Sequence, residues 1–379
     1  MNKLLHVITG LGTGGTEMMC LRLVRHWQHR FEQNVVALSP STRALERDFD
    51  NIDNCTLSVG TCKSQSYFKQ WIWLRETISH HRPNAVVIHC FGVPHLLAAS
   101  AARAMGVKSL IAWAGNPPPE TEEHRHRWRS ILMISRLLRC PIASCSKAVE
   151  RELKDLGVGL PSRSLVIPNG IDTSNNTEKT SQGRRPRTGI GPVIGMISRL
   201  DAIKDHKTLL RAFDLLRRRI PEANLWIIGD GVLRQTLEAT AHDLGISASV
   251  KFFGNRNDVP NLLGQIDTFA FSTTRNEGFG IALIEAMAAA VPIVASDVAA
   301  CREVLSDGEA GLLVPPADAN ALAEAIVLSL EDDRIREILT QAALRCVRSH
   351  YSIEACAERF ETLLFKPSSP RRELTECAS

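Results

Sequence analysis

Short apolar runs alternate along this chain with longer stretches whose apolar residues recur at helical spacing. Leu4 to Ile8 reads as a buried strand, Gly10 to Gly15 as its turn, and Glu17 to Trp27 as an amphipathic helix. Asn34 to Leu38, Ala85 to Ile88, Leu110 to Trp113 and Ile142 to Ser144 read as further strands, with an alanine-rich helix over Pro94 to Met105. Strands that alternate with helices predict a parallel, doubly wound sheet, so the expected class is α/β. Residues 173–189 are polar, with Gly and Pro and almost nothing apolar, and they predict a linker. A second series follows, with strands at Val193 to Ile197, Leu225 to Ile228, Val250 to Phe252, Thr268 to Phe271 and Pro292 to Ala295. It predicts a second Rossmann-like sheet, whose ligands would sit at the carboxyl ends of its strands. The expected organisation is a first domain over 1–172, a linker over 173–189, a second domain over 190–350, a last helix within 351–366 and a polar, disordered tail over 367–379.

Composition adds bounds. A chain of 379 residues exceeds the usual size of one hydrophobic core, which agrees with two domains. The 44% hydrophobic and 23% charged residues are those of an ordinary globular protein. Ten cysteines are scattered without CxxC or Cys/His spacing, so reduced cytosolic thiols are expected rather than metal sites or disulfides. The apolar run Leu4 to Ile8 is too short for a signal-peptide core, and no transmembrane helix is evident. Net charge is +4, but residues 1–190 hold 25 Lys and Arg against 15 Asp and Glu, and the rest 20 against 26. A basic first half suits an acidic partner: an anionic headgroup, a lipid-linked diphosphate or nucleic acid.

The candidate chemistry is concentrated in N-E-G-F-G-I-A-L-I-E at 276–285. Glu277 precedes a glycine-flanked turn, Gly278-Phe279-Gly280, and an apolar helical run from Ile281 carries Glu285. A helix start offers unpaired N–H groups and the positive end of its dipole, a seat for phosphate. Carboxylates accept hydrogen bonds from sugar and ribose hydroxyls. Glu285 stands among Ile281, Leu283, Ile284 and Met287, too apolar a setting for an ordinary solvated residue. Arg199 and Lys204 follow a predicted strand, and together they can neutralise a departing diphosphate.

This E-x7-E segment resembles the donor-site motif of glycosyltransferase family 4. V-I-P-N-G-I-D at 166–172, G-M-I-S-R-L-D-A-I-K-D-H at 195–206, I-I-G-D-G at 227–231, F-F-G-N-R-N-D-V at 252–259 and L-G-T-G-G-T-E at 11–17 are similar to further blocks of that family, in order. The resemblance implies the GT-B architecture, two Rossmann-like domains with parallel sheets facing across a cleft. The first would take the acceptor and the second the donor, with the last helix crossing back to the first. It implies retaining, metal-independent hexosyl transfer from a UDP- or GDP-sugar to a glycan or lipid-linked acceptor, in polysaccharide or glycolipid biosynthesis. No cofactor is expected, because the nucleotide-sugar is a substrate. By the same resemblance Arg199 and Lys204 bind the diphosphate, Glu277 the donor sugar and Glu285 the ribose. Gly278, Phe279, Gly280 and Ile281 offer N–H groups, and Gly14 and Gly15 close on the donor phosphates. The base side is expected at Asn255, Arg256 and Val259, with Gly229 and Asp230 beside it. Catalysis is expected of Glu277, Arg199 and Lys204.

One departure stands out. Where many family members carry a histidine after a mid-domain strand, this chain has Gly115-Asn116. Candidate acceptor-side residues are therefore Asn116, His89 and His95. No Asp-x-Asp stands at a strand end, and Glu331-Asp332-Asp333 reads as acids of a helix's first turn, so no metal ligand is expected. Arg125, Arg127 and Arg129 with His124 and His126 form a basic stretch suited to a surface or an acceptor phosphate. A cytoplasmic enzyme peripheral to an anionic membrane face, without a nucleic-acid partner, fits these features. The alternatives are a nucleotide-sugar epimerase of similar fold and a non-catalytic sugar-nucleotide-binding protein.

Overall fold

The computed structural model describes residues 1–38, 42–60, 66–119, 121–173 and 191–365. The expected linker, apart from Thr173, and the expected tail lie outside them. The first lobe is a parallel sheet of β1 (Asn2–Ile8), β2 (Phe31–Ala37), β3 (Cys55–Val59), β4 (Ala85–Ile88), β5 (Ser109–Ala114), β6 (Ile142–Ser144) and β7 (Leu165–Val166), in the order β3-β2-β1-β4-β5-β6-β7. Its helices are α1 (Gly15–Trp27), α2 (Glu46–Asp50), α3 (Tyr67–His81), α4 (Val93–Ala104), α5 (Glu122–Leu137) and α6 (Lys147–Lys154). The second lobe orders β8 (Val193–Ile197), β9 (Asn224–Ile228), β10 (Val250–Gly254), β11 (Thr268–Phe271), β12 (Ile293–Ser296) and β13 (Leu312–Val314) as β10-β9-β8-β11-β12-β13. Around it lie α7 (His206–Arg217), α8 (Arg234–Asp243), α9 (Val259–Leu263), α10 (Ile281–Ala288), α11 (Ala299–Val304), α12 (Ala319–Glu331), α13 (Asp333–His350) and α14 (Ile353–Phe365).

Both sheets therefore reverse direction beside their first strand, which opens a crevice at the carboxyl ends. The central strands are apolar because helices cover both faces. In β4 no buried-exposed alternation remains, and Ala85, Val86, Val87 and Ile88 are all fully buried. Helix starts follow capping chemistry. Asp205 accepts from Thr208 N at 3.1 Å, Ser146 from Val149 N at 3.1 Å, and Asp332 from Ile335 N at 2.9 Å. The acidic run at 331–333 thus serves a helix cap. The last helix lies against the first lobe. Glu361 accepts from Nη1 and Nη2 of Arg30, at 2.7 and 2.8 Å, and from Trp27 Nε1 at 2.8 Å. Among the described residues no helix is long and apolar enough to cross a membrane.

Candidate active site

Loops at the carboxyl ends of β8 and β11 are tied together before any ligand is considered. Asp205 N donates to Ser272 O at 3.1 Å and Thr273 Oγ1 to Ile203 O at 3.0 Å. His206 fixes the turn between them: Nδ1–H donates to Lys204 O at 3.0 Å, so Nε2 is left to accept from Ser198 Oγ at 3.0 Å. Burial lowers the pKa of this imidazole to about 4, despite its hydrogen bond to Lys204 O. The pinned turn presents Lys204 to Glu277. The ammonium donates to Glu277 Oε2 and lies 4.6 Å from the Phe271 ring centroid. Glu277, 8% exposed, also accepts from Thr273 Oγ1 at 3.2 Å and from Phe279 N at 3.4 Å. Burial alone would raise the pKa of this carboxyl. The Lys204 charge and three hydrogen bonds overcome it and hold the group below the ordinary carboxylate range. The result is a buried anion and cation at the start of α10.

Gly280 sets the angle of that helix. It takes φ +82° as the N-cap, a conformation that L side chains rarely adopt. Ile281 then opens α10, and Glu285 lies one turn in. Arg199 is placed differently from Lys204. Its side chain is 64% exposed and pairs with Asp201 at 3.0 Å, so it stands at the rim. The expected base-side residues form a neighbouring patch at the ends of β9 and β10. Gly229 N donates to Gly254 O at 2.9 Å, and Leu200 N to Asp230 O at 3.0 Å, which joins this patch to the Arg199 loop. Asp230 pairs with Arg234 at 3.3 Å, while Arg256 forks onto Asp258 with both contacts at 2.8 Å. Asn255 is exposed, and Val259 begins α9.

The first lobe closes over this surface mostly with backbone. A Cβ added at Gly15 would lie 2.9 Å from Ile281 Cδ1, and one at Gly278 would lie 2.1 Å from Gly115 O. Gly14 is the N-cap of α1, beside Gly15. Gly278 O accepts from Ser146 Oγ at 2.7 Å, and Glu303 accepts from Lys147 N at 2.8 Å and Ala148 N at 3.1 Å at the start of α6. Asn116 is exposed and borders Gly278. The structure thus brings Lys204, Glu277, Gly278 to Ile281, Glu285, Gly14, Gly15 and Asn116 to one interlobe surface.

His89 and His95 do not reach it, and the acceptor-side expectation for both is corrected. Each is fully buried. His95 accepts from Gly92 N at 3.0 Å and meets Ser135 Oγ at 2.8 Å between α4 and α5. His89 stacks on His6, with Nε2 3.1 Å from His6 Nδ1. Cys20 joins these two in a buried group whose ligand-type atoms lie within 4.8 Å of one another. That juxtaposition has no signature in the spacing of cysteines and histidines. Sequence reasoning also misses two polar residues on α1 as site residues. Glu17, half-buried near Thr9 Oγ1, has its carboxyl pKa raised by burial, against the pull of its hydrogen bonds and of Arg199 across the cleft. Arg22 donates from Nη2 to Glu285, 263 residues away.

Comparison with known proteins agrees with this architecture. Residues 13–175 match the model for Glycosyltransferase Family 4, and residues 180–345 that for Glycosyl transferases group 1. The chain is 34% identical over 198 residues to the phosphatidyl-myo-inositol mannosyltransferase of Mycolicibacterium smegmatis, covering 51% of this chain and 50% of that one. It is 26% identical over 266 residues to the lipopolysaccharide core biosynthesis glycosyltransferase LpsE of Rhizobium meliloti, covering 67% and 75%. The chain spans about half the length of the mannosyltransferases it matches. In fold it is similar to Anabaena HepE, solved with UDP and glucose, at a TM-score of 0.81 and 19% identity, covering 97% of this chain and 100% of that one. With one model matching the first lobe and the other most of the second, the chain has the GT-B fold and belongs to glycosyltransferase family 4.

Proposed function

We propose that this protein transfers a hexosyl group from a nucleotide-diphosphate sugar to a hydroxyl of a glycan or lipid-linked acceptor, with retention and without a divalent metal. The buried Lys204–Glu277 pair at the start of α10 carries this reading. Lys204, Arg199 and the N–H groups from Gly278 to Ile281 would hold the diphosphate, Glu277 the sugar and Glu285 the ribose. The base would lie against Gly229, Asp230, Asn255, Arg256 and Val259. Residues 1–172 would serve as the acceptor domain and 190–350 as the donor domain. In the transfer, the bond from the anomeric carbon to the leaving phosphate breaks as the acceptor oxygen bonds to that carbon on the same face. The acceptor's proton passes to a leaving phosphate oxygen. Charge developing on the diphosphate meets fixed cations and N–H dipoles that need no reorganisation.

Related proteins use GDP-mannose by name, and a solved neighbour holds UDP-glucose, so both donors are to be tried. The relatives are transferases, which does not favour an epimerase. The acceptor side is proposed to work in the cytoplasm at an anionic membrane face. The helix α5 offers Arg127 together with exposed Met133, Ile134 and Leu137. Arg125 and Arg129 are instead partly occupied by Asp155 O and Leu156 O, at 3.3 and 3.1 Å. The test is a thermal-shift screen of UDP- and GDP-sugars. It is followed by transfer of labelled sugar to lipid extracts in anionic and neutral vesicles, with and without EDTA. A donor that stabilises the protein and labels lipid, fastest on anionic vesicles and equally with EDTA, is expected. Failure of every nucleotide-sugar to bind would overturn the reading.

A further inference from the structure

The helices α1 and α10 meet twice across the cleft. Their starts touch at Gly15 and Ile281, and further along Arg22 Nη2 donates to Glu285 Oε1. Both side chains of the pair are mostly covered, at 17% and 20% exposure. One guanidinium amino group is therefore used. The other, Nη1, is buried without a hydrogen-bonding partner. A buried N–H on a cation is unfavourable unless an oxygen accepts from it. A guanidinium holds its donors in a rigid fork, so the atom paired with Glu285 fixes where the unpaired one sits.

We propose that Arg22 is a donor-binding residue supplied by the first lobe. It holds Glu285 in position for the ribose hydroxyls and gives its unused Nη1–H to a hydroxyl oxygen of the same ribose. This rests on the donor-site reading given under Proposed function, and it adds a ligand from the lobe assigned to the acceptor. Donor binding would then draw on a first-lobe side chain besides the Gly14–Gly15 turn, and the nucleotide itself would stabilise the approach of the lobes.

Calorimetric titration with GDP and UDP, each beside its 2′,3′-dideoxy form, separates this role from a purely structural one. In the wild type the ribonucleotide is expected to bind about tenfold or more tightly than the dideoxy form, as hydrogen bonds to charged groups contribute. Arg22→Met is expected to weaken the ribonucleotide about tenfold and to leave the dideoxy form nearly unchanged, so that the discrimination collapses. Glu285→Gln should collapse it too, and Arg22→Lys, which keeps charge but not the fork, should fall between. Should Arg22→Met fail to fold, the latter two variants carry the test. Tighter ribonucleotide binding by Arg22→Met would make the pair an inhibitory latch and overturn the proposal. Unchanged discrimination, or an equal loss for both forms, would overturn it as well. A wild type that binds neither GDP nor UDP would remove the donor-site reading itself.

Discussion

In the second lobe, charged side chains stand on the loops after β8 and β11, and one cation–anion pair is buried there. The first lobe, built on the same strand order around its first strand, meets the Gly278–Ile281 turn beside that pair with backbone at Gly15 and Gly115 and with the Ser146 hydroxyl. Three of its buried polar side chains, His6, His89 and His95, go instead to its own core. The contrast has a physical source. A site that holds a diphosphate needs fixed charge, and fixed charge at low exposure needs a partner. A surface that closes on such a site needs small residues and shape, which leave fewer marks in a sequence.

Breaking the pair should have the largest effect. Lys204→Met is expected to lower kcat by about 10²–10³-fold, the usual cost of removing a group that stabilises transition-state charge. It also leaves Glu277 buried without its cation, so the variant should melt lower than wild type. The double variant Lys204→Met with Glu277→Gln should recover melting temperature and not turnover. Wild-type kcat in Lys204→Met, with the fold checked by circular dichroism, would place the charge requirement elsewhere.

Legibility follows the same division. Strands β4, β6, β8 and β11 are readable to the residue, because each is a short apolar run closed by a polar or glycine signal. The strand β3 is not. Its C-T-L-S-V is partly exposed at a sheet edge, where nothing demands a continuous apolar run. The short edge strands β7 and β13 escape for the same reason. In the site, Glu285 stands out because a carboxylate in apolar surroundings demands explanation, Glu277 because it precedes a glycine-flanked turn, and Lys204 because it follows a predicted strand. Arg22 does not: its role depends on a partner 263 residues away, and α1 would tolerate an arginine on any exposed face. His89 and His95 mislead because a histidine next to a strand end looks the same in sequence whether it faces a cleft or a core.

A second prediction probes the backbone half of the comparison. Gly278→Ala puts a Cβ 2.1 Å from Gly115 O, with no flexible side chain to yield. The lobes must shift apart there, and misplacement on the ångström scale costs about a hundredfold in rate. We expect that loss in kcat with the nucleotide still bound by the second lobe. Gly264→Ala, whose added Cβ meets only ordinary contacts at 3.7 Å, is the control and should keep activity. Equal kcat in both variants would mean that closure at Gly115 is not part of turnover.

The smallest expected effect concerns the histidines that the first lobe buries. Burial lowers the pKa of His6 to about 4, against the smaller opposing pull of its hydrogen bond to Gln33, and lowers that of His95 to about 4 as well. His89 is pushed well down by burial and by His6 beside it. The second lobe has His206 in the same condition. A base whose folded pKa is depressed takes its proton more readily when unfolded. Its contribution is therefore complete above the unfolded value near 6.5 and is lost as pH falls toward 4. His6 alone should cost the fold on the order of 2 kcal/mol at pH 5 relative to pH 7. Gln33 and Trp27 near it carry no charge, and the Cys20 thiol is held protonated by burial, so no counter-charge in contact offsets an imidazolium and the weaker Gln33 hydrogen bond alone favours one. The loss should fall more heavily on the first lobe, which holds three of these four rings. Five of the six tryptophans lie there as well, at positions 27, 71, 73, 113 and 128, so intrinsic fluorescence reports on that lobe. Urea midpoints followed by fluorescence should drop between pH 7 and pH 5, and His6→Gln, which cannot take up the proton, should flatten the drop. Equal midpoints at the two pH values would show that the buried rings find solvent or a counter-charge before the lobe opens.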